Sequence, residues 1–412
     1  MKIKPITLLL ILCLSSQAWA STESQNWPQW RGPTRDGMVK EGSPWPKQIS
    51  KKKMPLSWRK KIAKGYPGPV TSDTLVFTVE TKGKQEFVRA FDRVNGNQKW
   101  EAKWTGSMSV PFFAGKNGSW VRSTPIYDGK NIYVGGMRDF LVCLNAESGE
   151  IKWTVDFMKR YKAPLPAFGF VCSPIIIGEH LYVQAGAGFV KLEKETGKSV
   201  WRVLIHKDEK YGSAFSSPTF ATMGGVEQLI VQTRTDLTGV SPQDGEVLWK
   251  KPVKAYRGMN ILTPTLFGNS VMTSSYGGKS LLFNLSKKGK GFSIDQAWEN
   301  KQEGYMSSPI VIDGYCYLHL RKQRMTCIDM KSGGTKWISS ESFGKYMSMV
   351  TNGKEILALD EDGTLYLIEA NPEKLVIKES RTISESSSWA YLALSGNQLF
   401  VRELEALACY SW

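Results

Sequence analysis

Aromatic and basic side chains recur together in the polar stretches of this sequence. Tyr66, Trp120, Phe168, Phe170, Tyr211, Tyr256, Tyr305 and Trp389 each fall in a loop-like segment, with Lys162, Lys251, Lys254 and Arg257 in the same stretches. Rings accompanied by cations make a candidate mouth for an extended peptide, an anionic glycan or a planar polycarboxylate. The residue types that other chemistries need are scattered or lacking. His180, His206 and His319 lie far apart and suggest no metal centre. There is no His-Glu-x-x-His, no Gly-x-Ser-x-Gly and no phosphate loop. Asp360-Glu361-Asp362 ahead of Gly363 reads as a hairpin turn, because neighbouring strand side chains point to opposite sides and do not converge on calcium. The expectation is therefore a binding mouth, with no catalytic residue and no metal.

The elements that carry this mouth follow from a repeat. A small or polar residue before Pro recurs in Ser123-Thr124-Pro125, Cys172-Ser173-Pro174, Ser216-Ser217-Pro218, Leu262-Thr263-Pro264 and Ser307-Ser308-Pro309. Gly68-Pro69 is an earlier copy, and Met347-Ser348-Met349 and Ala390-Tyr391-Leu392 are later ones without Pro. Short β-branched and aromatic runs bounded by turn residues follow each copy, which is strand composition. A later strand in each repeat ends in a small residue, a polar residue two on, a Gly and then a Trp four further. Ala90-x-Asp92 leads to Gly96 and Trp100, Cys143-x-Asn145 to Gly149 and Trp153, and Cys327-x-Asp329 to Gly333 and Trp337. Trp201 and Trp249 occupy the same place after Gly197 and Gly245. Trp298 does so in a copy stretched by Lys287–Gly291, and the seventh copy loses its Trp around Val376-Ile377. Constant spacing puts each ring on the same face of its strand, as sheet-on-sheet packing requires.

The last repeat ends at Trp412 one strand short, and Pro55-Leu56-Ser57-Trp58 is a strand with no repeat before it. Pairing the two closes a ring and removes open sheet edges. The expected fold is all-β, an eight-bladed β-propeller of four-stranded blades over residues 55–412, with Trp58, Trp100, Trp153, Trp201, Trp249, Trp298 and Trp337 docking blade on blade. Loops joining each Trp strand to the next small-Pro turn then share one face, which gathers the candidate mouth.

Residues 1–20 read as an export signal: Lys2 and Lys4, an apolar run from Ile6 to Leu14, and Ala18 and Ala20 before the expected cleavage. Ile11 and Leu12 stand before Cys13 where a lipid-attachment motif needs small residues, so no anchor is expected. Losing Lys2 and Lys4 takes the formal charge from +16 to +14. Residues 21–54 form an N-terminal extension containing Trp27-Pro28-Gln29-Trp30-Arg31-Gly32-Pro33, whose residues do not define a role; the plainest reading is an aromatic strap over a blade. Export permits disulfides, but Cys143, Cys327 and Cys409 sit at the small-residue position of the motif and read as buried thiols. Pairing of Cys316 with Cys327 stays open.

The Ala-x-Asp-x-x-x-Gly-x-x-x-Trp pattern resembles the Trp-docking motif of the pyrroloquinoline-quinone (PQQ)-like propeller repeat family, over residues 55–412. The Trp27–Pro33 segment with Asp36-Gly37 is similar to that of secreted, BamB-like members. The family spans quinoprotein alcohol dehydrogenases and outer-membrane assembly factors of the BamB type. The resemblance implies a quinoprotein alcohol dehydrogenase-like propeller without settling function. No two cysteines are adjacent, whereas the dehydrogenases carry a vicinal pair under PQQ, and the chain has no Cys-x-x-Cys-His haem module. The leading expectation is an exported, periplasmic or extracellular monomer that binds a protein or anionic envelope component on one propeller face. It would be peripheral to a membrane at most and would bind no nucleic acid. A PQQ- and calcium-dependent periplasmic oxidoreductase is the alternative, and a glycan-binding propeller the third.

Overall fold

The computed structural model describes residues 25–206, 214–289 and 291–412. The export signal with its cleavage after Ala20 therefore lies outside the described residues, as does Tyr211. Eight separate four-stranded antiparallel sheets follow one another along the chain. Seven are consecutive meanders. The eighth combines the strands Ala393–Ser395, Gln398–Arg402 and Ala406–Ser411 with the N-terminal strand Leu56–Lys61 as its outermost member. Trp58 there lies opposite Cys409 and Lys61 opposite Ala406. The ring is thus closed by pairing its two ends within one blade.

Why the Trp spacing is constant is visible in the register. Four of the docking Trp lie opposite the small residue of their own motif: Ala90 with Trp100, Cys143 with Trp153, Gly239 with Trp249 and Cys327 with Trp337, whereas Trp201 faces Lys191 and Trp298 faces Leu282. A register shift follows immediately in each blade. The ring then leans onto the hairpin of the next blade, where the motif Gly leaves room for it. A Cβ on Gly149 would stand 2.5 Å from Trp100, and one on Gly197 2.6 Å from Trp153. Both glycines have positive φ, so the turn and the docking ring select Gly for separate reasons. The indole N–H of Trp100 donates to Ala146 O at 3.0 Å, that of Trp298 to Met330 O at 2.8 Å, and that of Trp337 to Asn371 O at 3.0 Å.

Three blades depart from this pattern. In the fourth blade the Trp249 indole donates to Gln228 Oε1 of its own blade. Trp201 docks beside Gly245, but its indole N–H has no partner. The acceptor it would reach, Pro242 O, is taken by Tyr182 Oη at 3.1 Å and by Lys191 Nζ at 2.8 Å. In the seventh blade the residue opposite Leu367, where the other blades hold Trp, is Glu379 rather than Val376 or Ile377. The reason lies in the neighbour. The eighth blade has no hairpin between its last two strands, because those strands come from opposite ends of the chain, so a Trp there would have nothing to dock on. The N-terminal extension fills the place. Ile49 N–H donates to Glu379 Oε2 at 2.8 Å, Arg381 donates to Met54 O at 2.8 Å, and Ile49 and Met54 join the core around Trp58 and Leu367.

Among the described residues the five cysteines Cys143, Cys172, Cys316, Cys327 and Cys409 are buried free thiols. Cys327 lies opposite Tyr317 and Cys316 opposite Ile328, so the two thiols are out of register for a disulfide. Burial pushes the thiols of Cys143, Cys327 and Cys409 up to about 12, which keeps them protonated and unreactive.

Candidate functional site: the axis and the upper face

The small-Pro turns gather around the propeller axis, and their chemistry explains why the residue before Pro is small and hydroxylated. The hydroxyl accepts the backbone N–H of the equivalent residue in the preceding blade. Gly68 N donates to Thr124 Oγ1 at 2.9 Å, Thr124 N to Ser173 Oγ at 3.1 Å, Ser173 N to Ser217 Oγ at 2.9 Å, and Thr263 N to Ser308 Oγ at 3.1 Å. Pro contributes no donor of its own, and the carbonyls of Pro174, Pro218 and Pro309 point to the axis, where they accept from arginines.

Those carbonyls are met from within the chain. Residues 27–39 form a hairpin that enters the axis from the end holding the first turn of each blade. On the way in, Trp27 and Thr71 exchange backbone and hydroxyl bonds, and Pro28 O accepts Tyr127 N–H at 2.8 Å. On the way out, Val39 N donates to Thr351 O at 2.8 Å. Between these points Trp30 lies on Tyr391, with centroids 4.2 Å apart, and its indole donates to Thr263 Oγ1 at 2.9 Å. Arg31 donates to Pro309 O and to Asp36 O. Arg35 donates to Pro218 O at 3.0 Å, Pro174 O at 2.8 Å, Ser173 O at 3.2 Å and Gln29 Oε1 at 3.0 Å. Arg31 is 1% and Arg35 3% exposed. Burial depresses both guanidinium pKa values, and backbone dipoles rather than ion pairs compensate the charge. Gly32 and Gly37, both with positive φ, set the bends; a Cβ on Gly32 would lie 2.7 Å from the Trp27 ring. The Trp27–Pro33 segment is therefore an axial plug, not a strap over a blade. Its role is not legible in the sequence because most of its polar partners are main-chain carbonyls, which leave no mark there.

The loops joining successive blades share one face, here called upper. Their rings, with Tyr276 from a loop inside the fifth blade, form a continuous arc: Trp120, Tyr66, Trp389, Tyr346, Tyr305, Tyr276 and Tyr256, with consecutive centroids 4.1 to 5.8 Å apart. Tyr66 and Trp389 are stacked at 4.5 Å. Five of the rings carry a cation: Lys64 on Trp120, Arg122 on Tyr66, Lys345 on Tyr346, Arg321 on Tyr276 and Arg257 on Tyr256. The structure thus brings together Tyr66, Trp120, Tyr256, Tyr305, Trp389 and Arg257. Phe168 lies in a second cluster with Phe113 and Phe215. Lys162 is exposed at the end of the short helix Phe157–Tyr161, and Lys254 is exposed beside Tyr256.

Two expected mouth residues lie elsewhere. Phe170 is 1% exposed and fills the space above Gly135, as part of the core between the second and third blades. Lys251 still belongs to the strand Val247–Pro252, and its ammonium lies over Phe283 of the next blade. Three residues were missed. Tyr276 sits in a loop inside the fifth blade, Trp30 belongs to the plug, and Arg122 directly precedes a small-Pro turn, a place the repeat itself marks.

Two buried carboxylates tie upper-face loops together. Glu86 accepts Met137 N–H at 2.7 Å and the Trp104 indole at 2.8 Å, and Asp139 accepts Gly186 N–H at 2.7 Å. Burial pushes both carboxyls up to about 7.

Above the plug the axis leaves a cavity of about 100 Å³, walled by Tyr66, Arg122, Phe215, Tyr346 and Trp389, with Trp30 and Tyr391 among its lining. No carboxylate among the described residues lines it. A fused three-ring tricarboxylate with its calcium needs more room, acidic ligands for the cation, and several donors for the acid groups. Arg31 and Arg35 already spend theirs on the plug and the Pro carbonyls. Among the described residues no group of three or more His, Cys, Asp or Glu could hold a metal. The residues at the axis do not fit PQQ with calcium.

Fold and docking geometry together define an eight-bladed, Trp-docked β-propeller of the PQQ-like repeat class, with its axis filled from within. A family model described as outer membrane protein assembly factor BamB matches residues 84–339, and the chain belongs to that family. The outer membrane protein assembly factor BamB of Yersinia pestis is 21% identical over 323 residues, 76% of each chain. The crystal structure of BamB from Moraxella catarrhalis aligns with a TM-score of 0.61 at 12% identity, over 86% of this chain and 98% of that one. The quinohemoprotein alcohol dehydrogenase of Comamonas testosteroni also reaches a TM-score of 0.61 at 12% identity, over 94% of this chain and 80% of that one, which is a likeness of fold alone. No helix among the described residues is long and apolar enough to cross a membrane.

Proposed function

We propose that this protein is an exported, non-catalytic scaffold that docks a protein partner on its upper face and serves outer-membrane protein assembly. The observation that carries this reading is the axial plug. The place where a propeller of this class could hold a planar cofactor is occupied by Trp30, Arg31 and Arg35 of the chain itself, so the accessible chemistry lies on the rim. That rim offers what a docking surface uses: arced rings with cations, and an aromatic knob, Phe112, which is 95% exposed on the short 3₁₀ helix Phe112–Asn117. Membership of the outer membrane protein assembly factor family supports the same reading.

The test is capture of outer-membrane assembly components from a detergent extract on immobilised protein, with Phe112→Ser as comparison. The expected result is specific capture, weakened roughly tenfold or more in the variant while its melting curve is unchanged. Stoichiometric binding of PQQ with calcium, accompanied by dye-linked oxidation of an alcohol or sugar, would overturn the reading.

A further inference from the structure

We propose that the axial cavity is a carboxylate-binding site anchored by Arg122. This goes beyond the scaffold reading and does not depend on it. Arg122 Nη2 donates to Gly118 O at 2.9 Å, and its guanidinium lies 5.4 Å from the centroid of Tyr66. No described carboxylate forms an ion pair with it, in contrast to Arg59, held by Glu403 at 2.9 Å, and Arg89, held by Glu101 at 2.7 Å. Burial lowers its pKa, the expected mark of a charge without a counter-ion. The other buried arginines at the axis differ, since Arg31 and Arg35 are occupied by plug and turn carbonyls. Among the described residues Arg122 is the cation that lines the cavity, with aromatic rings and serines in the walls around it.

A half-buried guanidinium in such surroundings gains most from a carboxylate, whose two oxygens match its fork of donors. The volume of about 100 Å³ admits a carboxylate with a short aliphatic tail and excludes a disaccharide or a fused ring system. The carboxylate has two sources of the same chemistry, a small free acid or the C-terminal carboxylate of a peptide chain.

The experiment titrates the protein, residues 21–412, with propionate, with propionamide, and with a small-residue tripeptide bearing either a free or an amidated C-terminus. Binding is followed by Trp fluorescence, since Trp30 and Trp389 border the cavity, and by calorimetry. The expected result is saturable binding of at least one acid and of neither amide, weakened about 10- to 100-fold in Arg122→Gln and unchanged in Lys251→Gln, whose charge lies on an outer strand. Tighter binding of propionate identifies a free-acid site, and tighter binding of the peptide acid identifies a chain-end site. Should Arg122→Gln fail to fold, Arg122→Lys serves in its place, keeping the charge while losing the paired geometry and weakening the acid. Silence of both acids, equal binding of acid and amide, or undiminished binding in the Arg122 variants would overturn the proposal.

Discussion

Replacing Arg35 with Met tests the axial plug most directly. Met keeps the unbranched reach of the side chain and removes its donors. Four acceptors then stand without them: Pro174 O, Pro218 O, Ser173 O and Gln29 Oε1. Each buried acceptor left unsatisfied costs about 1–3 kcal/mol. Part of that is returned, because a buried cation with no carboxylate partner no longer has to be desolvated. The net expectation is a loss of about 3–5 kcal/mol, the usual range for breaking a buried charged network. With an unfolding entropy of about 2.1 cal/mol/K per residue over roughly 380 residues, this corresponds to a Tm lowered by about 4–6 °C. Near-UV circular dichroism reports the melt. Acrylamide quenching reports whether Trp27 and Trp30 become exposed below it, as they must if the hairpin leaves the axis before the blades unfold. A variant that melts within about 1 °C of the parent, with unchanged quenching, would refute the assignment of Arg35 as the pin of the plug.

Two further outcomes follow from particular contacts. The indole N–H of Trp100 has an acceptor and that of Trp201 has none, so Trp201→Phe should cost about 1 kcal/mol less than Trp100→Phe in urea unfolding; equal costs would contradict the docking account. Burial raises Glu86 from an ordinary 4.5 to about 7, so the folded state holds more protons than the unfolded chain between those values. The stabilising contribution is full below pH 4.5 and is lost as pH rises through about 7, by about 3 kcal/mol at most. Asp139, also raised to about 7, has the same sign, whereas His319, pushed down to about 4, has the opposite sign over an overlapping window. The clean reading is therefore the difference between parent and Glu86→Gln, which should shift in favour of the variant between about pH 5 and 8. A difference that does not change with pH removes the buried carboxylate from the explanation.

How much of this was legible beforehand depended on whether a residue's partner was a side chain or the main chain. The Trp–Gly spacing encoded both halves of each docking pair, so the ring and its closure by Leu56–Lys61 could be read from residue types. The blade without a Trp was also legible, although its place was misjudged by two or three residues. The register shift after Leu367 puts Glu379, not Val376 or Ile377, opposite the docking position. Lys251 follows the docking Trp249 by two residues, where residue types suggest a loop, but strand pairing continues to Pro252. Phe170 was drawn inward by the absence of a side chain at Gly135, a vacancy on another blade that local reading does not connect to it. The plug was hidden most deeply. Gly32 and Gly37 announced a bent segment, but most acceptors of Arg31 and Arg35 are main-chain carbonyls, those of Pro174, Pro218 and Pro309 among them, which no residue type signals.

The plug also dictates an order of events during biosynthesis. Arg35 leaves the ribosome 139 residues before Pro174 and 183 before Pro218, and Arg31 precedes Pro309 by 278. Ser57, on the closing strand, waits 354 residues for Ser411. The first part of the described chain to be made is thus among the last to be seated, and until then it must be kept from other partners. Contacts so distant along the chain favour slow folding. The ring matures outward from blades that can pair locally, and its earliest residues act as the final locking piece.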